Sequence, residues 1–220
     1  MKIRSRHLLI LTGSWFALVA ATTPAEPVGV GPCDYDQKAM LQLDPNAFDQ
    51  DDHLGWRNLG NRPGCKAVAA DAIALYIETH REELARRWQI PSFKWHEAQM
   101  RAMAGETRRA IGLMRQSIKP EKGPDAAEGW TDYARPWNDY VRATIAFLER
   151  DLDALKKARD RLAAAPLPAG FAELDRSQIG GRAPAWPQNL DVVDGLIACF
   201  ERPYEDAYGR PECRAARERD

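Results

Sequence analysis

Between Trp95 and Leu162 the apolar residues recur at helical spacing and are interrupted by short polar turns, which leaves the chain few ways to fold. Trp95, Ala98 and Ala102 fall on one face of a helix. After Ala104-Gly105-Glu106 the stripe resumes as Ala110, Leu113, Met114 and Ile118, with Arg108, Arg109 and Arg115 on the opposite side. Two amphipathic helices joined by so tight a turn hide their apolar faces by folding against each other, as an αα-hairpin. A second pair follows. Pro136 suits a helix's first turn, and Val141, Thr144, Ile145 and Leu148 carry the stripe to Glu149-Arg150-Asp151. Leu152, Leu155, Ala158 and Leu162 return, and Pro166 stops the helix. A third, shorter pair uses Val192, Leu196, Cys199 and Phe200, turns at Arg202-Pro203, and returns from Tyr204 to Tyr208 before Gly209. Upstream, Ala69, Ala72, Ile73 and Tyr76 share one helical face. No convincing strand alternation competes with these stripes, so the expected class is all-α, an irregular stack of αα-hairpins.

Overlaying the three pairs aligns Ala110, Ala154 and Ala207 early in each second helix, at spacings of 44 and 53 residues, and Met103, Phe147 and Phe200 late in each first helix. The stretch "AGETRRAIGLMRQSI", Ala104 to Ile118, resembles the middle of a tetratricopeptide repeat: Gly105, Glu106, Ala110, Met114 and Ser117 match that pattern in order. "GWRNLGN", Gly55 to Asn61, resembles the start of such a repeat, although Pro63-Gly64 stops the helix almost at once. The second pair keeps Ala154 and Ala158 but has Arg150 near the place of the turn glycine. The resemblance spans Ser92 to Ala164 and departs from the family's period of about 34 residues. It implies a right-handed solenoid whose first helices line a concave face for a peptide or partner protein. Carried over residue by residue, Trp95 and Gln99, then Asp139 and Ala143, stand on that partner-facing side.

The first residues read as an export signal: basic Lys2, Arg4 and Arg6, an apolar core from Leu8 to Ala20, and small residues favouring cleavage after Ala21. The apolar run, about 13 residues, is short of the roughly 20 that span a bilayer. Residues 1–21 are therefore expected to be removed, leaving one helical-repeat domain over 22–210 and a frayed, charged tail over 211–220. Cleavage takes the formal charge from −1 to about −4, which offers no electrostatic footprint for nucleic acid. No other segment is apolar enough to enter a membrane. The four cysteines, Cys33, Cys65, Cys199 and Cys213, form an even set in an exported chain and read as two disulfides. Of the three pairings, Cys33–Cys65 with Cys199–Cys213 closes two local loops and is the favoured one. The compartment expected is the periplasm or the exterior.

No motif supplies a catalytic centre. A zinc-protease helix needs a second histidine four residues after the first, and Met100 stands there after His96. The Asp-rich segment Asp44 to Arg57 fails as a calcium loop, because neither register has glycine at the sixth place and glutamate at the twelfth. Its aspartates read instead as turn formers and helix N-caps. No serine lies in a nucleophile elbow, and Gly180-Gly181 lacks the lysine of a phosphate loop. Neither metal nor cofactor is expected. His53, Trp56 and Arg57 are candidate pocket residues, as is Trp186 in the long segment from Pro166 to Pro187, which with Phe171 and Leu174 is apolar enough to dock as an ordered cover. The function implied is an exported helical-repeat scaffold that binds a protein or peptide; the alternative is a hydrolase of envelope polymers working through an acidic residue in the same groove.

Overall fold

The computed structural model describes residues 31–121, 131–168, 171 and 185–214. The signal segment lies outside them, as does most of the long connection before Trp186. Among the described residues every regular element is a helix, and no helix there is long and apolar enough to cross a membrane.

The N-terminal half comprises α1 (Gln37–Leu41), α2 (Pro45–Gln50), α3 (Gly55–Gly60), α4 (Lys66–Thr79) and α5 (Arg81–Arg86). Aspartates cap α1 and α2, as the segment's composition implies, and Asp51 forms a turn ahead of α3. Asp44 Oδ1 accepts from the N–H groups of Asn46 and Ala47 at 2.9 and 3.1 Å, and Asp51 Oδ1 accepts from those of His53 and Leu54 at 2.7 and 3.1 Å. The apolar faces of α2, α3 and α4 close on Phe48, Leu59, Ile73 and Tyr76. Phe48 stacks on Tyr76 with ring centroids 3.7 Å apart, and the Tyr76 hydroxyl donates to Leu43 O at 2.7 Å. The Cys33–Cys65 disulfide ties the chain ahead of α1 to the start of α4.

The central helix is α6 (Ile90–Met103), which packs on α4 on one side and on α7 (Thr107–Gln116) on the other. It serves both halves: Phe93 and Met100 complete the N-terminal core, while Trp95, Ala98 and Ala102 enter a second core. The second core is built by α7, α8 (Thr131–Leu148), α9 (Leu152–Ala163), α10 (Leu190–Ala198) and α11 (Tyr204–Gly209). Pro136, expected in a first turn, lies inside α8, because that helix begins earlier, at Thr131.

The two hairpins α6/α7 and α8/α9 turn alike. Gly105 adopts φ 80°; its N–H bonds Ala102 O at 3.1 Å, and the next N–H, of Glu106, reaches back to Arg101 O at 2.9 Å. Arg150 repeats this at φ 62°, with its N–H on Phe147 O at 3.1 Å and that of Asp151 on Ala146 O at 2.9 Å. Such a helix end needs one left-handed residue, normally glycine, and here an arginine fills the place. The turn also fixes the register. The N–H of Ala110 bonds Glu106 O, that of Leu155 bonds Asp151 O, and that of Ala207 bonds Pro203 O. Leu155, buried, is thus the counterpart of Ala110, and the half-buried Ala154 is not; the spacings are 45 and 52 residues, in place of the expected 44 and 53.

The third helix pair does not continue outward. α10 packs on α8 and α9, and α11 reaches back to α6, where Lys66 Nζ of α4 lies 3.6 Å from Glu205 Oε1. The short helix α12 (Pro211–Arg214) is bonded to the end of α10 through Cys199–Cys213. Ordered chain therefore runs past residue 210, where fraying was expected to begin, and buries Cys213. The packing is close: a Cβ on Gly195 would stand 3.1 Å from Cys213 O.

Candidate functional site

The residues assigned to a partner-facing surface are interior. Trp95, Gln99, Asp139 and Ala143 are 2, 5, 1 and 0 % exposed. Trp95 meets Trp137 edge-on at 5.6 Å between centroids and Tyr140 at 4.7 Å, so it joins α6 to α8. Asp139 accepts from Arg161 Nε at 2.8 Å and from Arg142 at 3.3 Å, which answers a buried carboxylate with charge. Gln99 lies beside Tyr204, which α11 delivers, and Ala143, like Ala146, is a small residue in the α8 core. Trp95 and Asp139 are thus buried within and between the two hairpins, and Gln99 beside α11.

The four pocket candidates separate. His53 is exposed, and its backbone N–H closes the Asp51 turn. Trp56 is buried, with Arg57 stacked over its ring at 4.5 Å. Trp186 lies elsewhere, donating from Nε1 to Ala165 O at 3.0 Å and packing edge-on against Phe171 and Tyr133. Around Trp56 the structure assembles a polar cluster that local sequence did not reveal. Asp49, buried at the end of α2, accepts from Trp56 Nε1 at 2.9 Å and sits 2.7 Å from Nδ1 of His96 on α6. Burial, the largest influence, pushes the Asp49 carboxyl up. His96, Trp56 and Arg57 together outweigh it, so the group titrates below its ordinary value. His96, partly exposed on α6, is thus a partner of Asp49. Among the described residues no group of three His, Cys, Asp or Glu side chains is placed to hold a metal ion.

α6 carries a second buried charge set. Arg101, 1 % exposed, reaches Asp71 of α4 and Glu106 of the turn, the latter at 3.3 Å; Glu97 lies 3.2 Å from Lys94 Nζ. These pairs join α4, α6 and α7 and leave the helix ends as the open part of the fold.

At those ends lies a cleft of about 260 Å³. The two hairpin turns and the segment entering α11 converge on it: Met103, Phe147, Leu148 and Tyr204 supply apolar surface, and Arg150 and Arg202 stand among its lining residues. Each arginine is held in place. Arg150 donates to Phe200 O and to Glu201 at 2.8 Å with its guanidinium 4.4 Å over the Phe200 ring, and Arg202 lies 3.6 Å from Glu212. Gly105 also borders the cleft, and a Cβ there would meet nothing within 4 Å. Among the described lining residues Glu205 is the one carboxylate, whereas glycoside hydrolysis works through a pair.

Both cysteine pairs are bonded, the state of an oxidising compartment outside the cytoplasm, and the pairing is the one that closes two local loops. Comparison with models of protein families, with curated proteins and with solved structures finds no match to this chain.

Proposed function

We propose that this is an exported helical-repeat protein, periplasmic or secreted, that binds a peptide segment of a protein partner in the cleft between its hairpin turns. The observation that carries the reading is the cleft's make-up: apolar surface from three helix ends, with two anchored arginines among its walls. At about 260 Å³ it is the size of one bulky side chain with a little backbone, below the roughly 300–1,000 Å³ of a drug-sized pocket. Apolar area supplies affinity, and Arg150 and Arg202 favour acidic residues beside the buried one. The tetratricopeptide resemblance supports the same class of function but not the same surface, because the helix faces that the resemblance nominates are packed inside.

Selection from a random displayed-peptide library tests this. The expected outcome is enrichment of a large apolar residue flanked by Asp or Glu, with affinity falling at least about tenfold on Leu148→Asp while the urea midpoint is kept. Selected peptides that bind Leu148→Asp and the parent equally would refute the assignment, as would no enrichment at all.

A further inference from the structure

A second cavity, beside the start of α10, shares no lining residue with that cleft. It measures about 70 Å³, and Lys119, Tyr133, Trp137, Trp186, Gln188 and Asn189 line it. Its two indole N–H groups are already committed, Trp137 Nε1 to Ser117 O at 2.9 Å and Trp186 Nε1 to Ala165 O at 3.0 Å. Those rings therefore present apolar faces and edges. Polar capacity remains on the ammonium of Lys119 and on two amides. Asn189 holds the N-cap position of α10 at φ 64°, yet its side chain makes no capping bond.

Lys119 is the informative residue. Its Nζ rests 4.2 Å over the Trp137 ring, and its own backbone N–H and C=O are both taken by the Asn138 side chain. Its nearest acid in sequence, Glu121, is engaged by other residues, accepting from Asn138 at 2.9 Å and facing Arg142 at 3.6 Å. Among the described residues no carboxylate pairs with this partly buried ammonium, and burial pushes it down from its ordinary value. The cavity beside it holds about two waters' worth of volume, which suits one planar anionic head and not a whole ligand. A single lysine balances a monoanion, whereas a phosphate dianion calls for more positive charge than this wall supplies. The positive edges of the aromatic rings complement the same charge.

We propose that this cavity binds the carboxylate of a small organic acid or of a polypeptide terminus, with Lys119 as counter-charge and Gln188 and Asn189 orienting it between aromatic walls. Bound carboxylate stabilises the protonated amine and removes the neutral form that amine reagents attack, so occupancy is read at Lys119 itself.

The experiment is trace acetylation of the intact protein at mildly alkaline pH, with Lys119 labelling quantified by mass spectrometry against the other lysines. Acetate or benzoate is expected to slow Lys119 labelling by about tenfold, the equivalent of one pKa unit, and to leave the other lysines unchanged. Acetamide, benzamide and chloride are expected to have no effect. Gln188→Leu, which keeps the amine, is expected to need several-fold more acetate for the same protection. A peptide that protects with a free C-terminus and not when amidated assigns the source to a chain end; protection by small acids alone assigns it to free acids. Equal labelling with and without carboxylates, protection by the uncharged amides, or protection by inorganic phosphate as strong as by acetate would each overturn the proposal.

Discussion

Asp49→Asn is the substitution that asks most of the N-terminal half. One carboxylate there joins three elements: it leaves the end of α2, accepts from Trp56 of α3 at 2.9 Å and meets His96 of α6 at 2.7 Å. Trp56 and His96 both meet Oδ1, while Oδ2 accepts from Gln50 Nε2; asparagine keeps the Oδ1 acceptor, but it takes the negative charge from both of those bonds and sets its N–H₂ against the Gln50 amide. A hydrogen bond to a charged group contributes about 1.5–3 kcal/mol, and one between neutral groups about 0.5–1.5 kcal/mol. Turning the two charged Oδ1 contacts into neutral ones therefore costs about 2 kcal/mol at neutral pH, or about 4–8 °C in Tm for a chain of this size. The pH dependence has a definite sign. Asp49 titrates lower in the folded chain than when unfolded. Its contribution is thus complete above the unfolded value and is lost as pH falls through the folded one. Asparagine takes up no proton, so the gap between parent and variant is full at neutral pH and closes below roughly pH 4. Urea unfolding followed by tryptophan fluorescence, with the disulfides intact, measures that gap as a change in midpoint at constant slope. Combining it with His96→Gln is expected to give a coupling above about 0.5 kcal/mol. A gap that stays constant from neutral pH to pH 3, or additive single effects, would refute the reasoning.

Two further substitutions test how the C-terminal helices are held. Gly195→Ala gains about 1 kcal/mol in helix propensity, but its Cβ would meet the backbone oxygen of Cys213 at 3.1 Å. Crowding is expected to prevail, lowering Tm by a few degrees; a rise in Tm would mean that α12 yields freely. Replacing Cys199 and Cys213 together by alanine opens a loop of sequence separation 14 and is expected to cost about 3 kcal/mol in the urea midpoint. An unchanged midpoint would show that the α10–α12 packing constrains the chain without the bond.

What could be read in advance was local. Helix stripes, the Gly105 turn and the cysteine pairing all depend on residues close in sequence, where periodicity and loop closure are informative. The alignment failed by one residue because Ala154 resembled Ala110 in type. The backbone places Leu155 there instead, since Asp151 caps α9 by accepting from the N–H of Ala154 at 2.9 Å. The Asp-rich segment was half legible: Asp44 is a cap and Asp51 a turn former, whereas Asp49 finds a partner in His96, a residue with no local relation to it. Lys119 carried no signal either, because its setting is made by the Trp137 ring and by the pairing of Glu121 with Arg142.

The largest difference concerns the helix faces, and it follows from where α11 lands. An open stack leaves the first-helix face free. Here α6 carries Glu97, Gln99 and Arg101 among its buried residues, side chains that are costly inside unless something answers them. α4 and the Glu106 turn answer Arg101, and Lys94 answers Glu97, while the returning C-terminal segment lays Tyr204 beside Gln99. Once the segment is bound there and fastened by Cys199–Cys213, the faces are closed, and the ends of the hairpins are what the fold still offers to another molecule. The two turns then serve different ends with the same backbone. At Gly105 the left-handed position carries no side chain and leaves the cleft open. At Arg150 it carries a guanidinium, stacked on Phe200 and bonded to Glu201, that puts positive charge on the opposite wall.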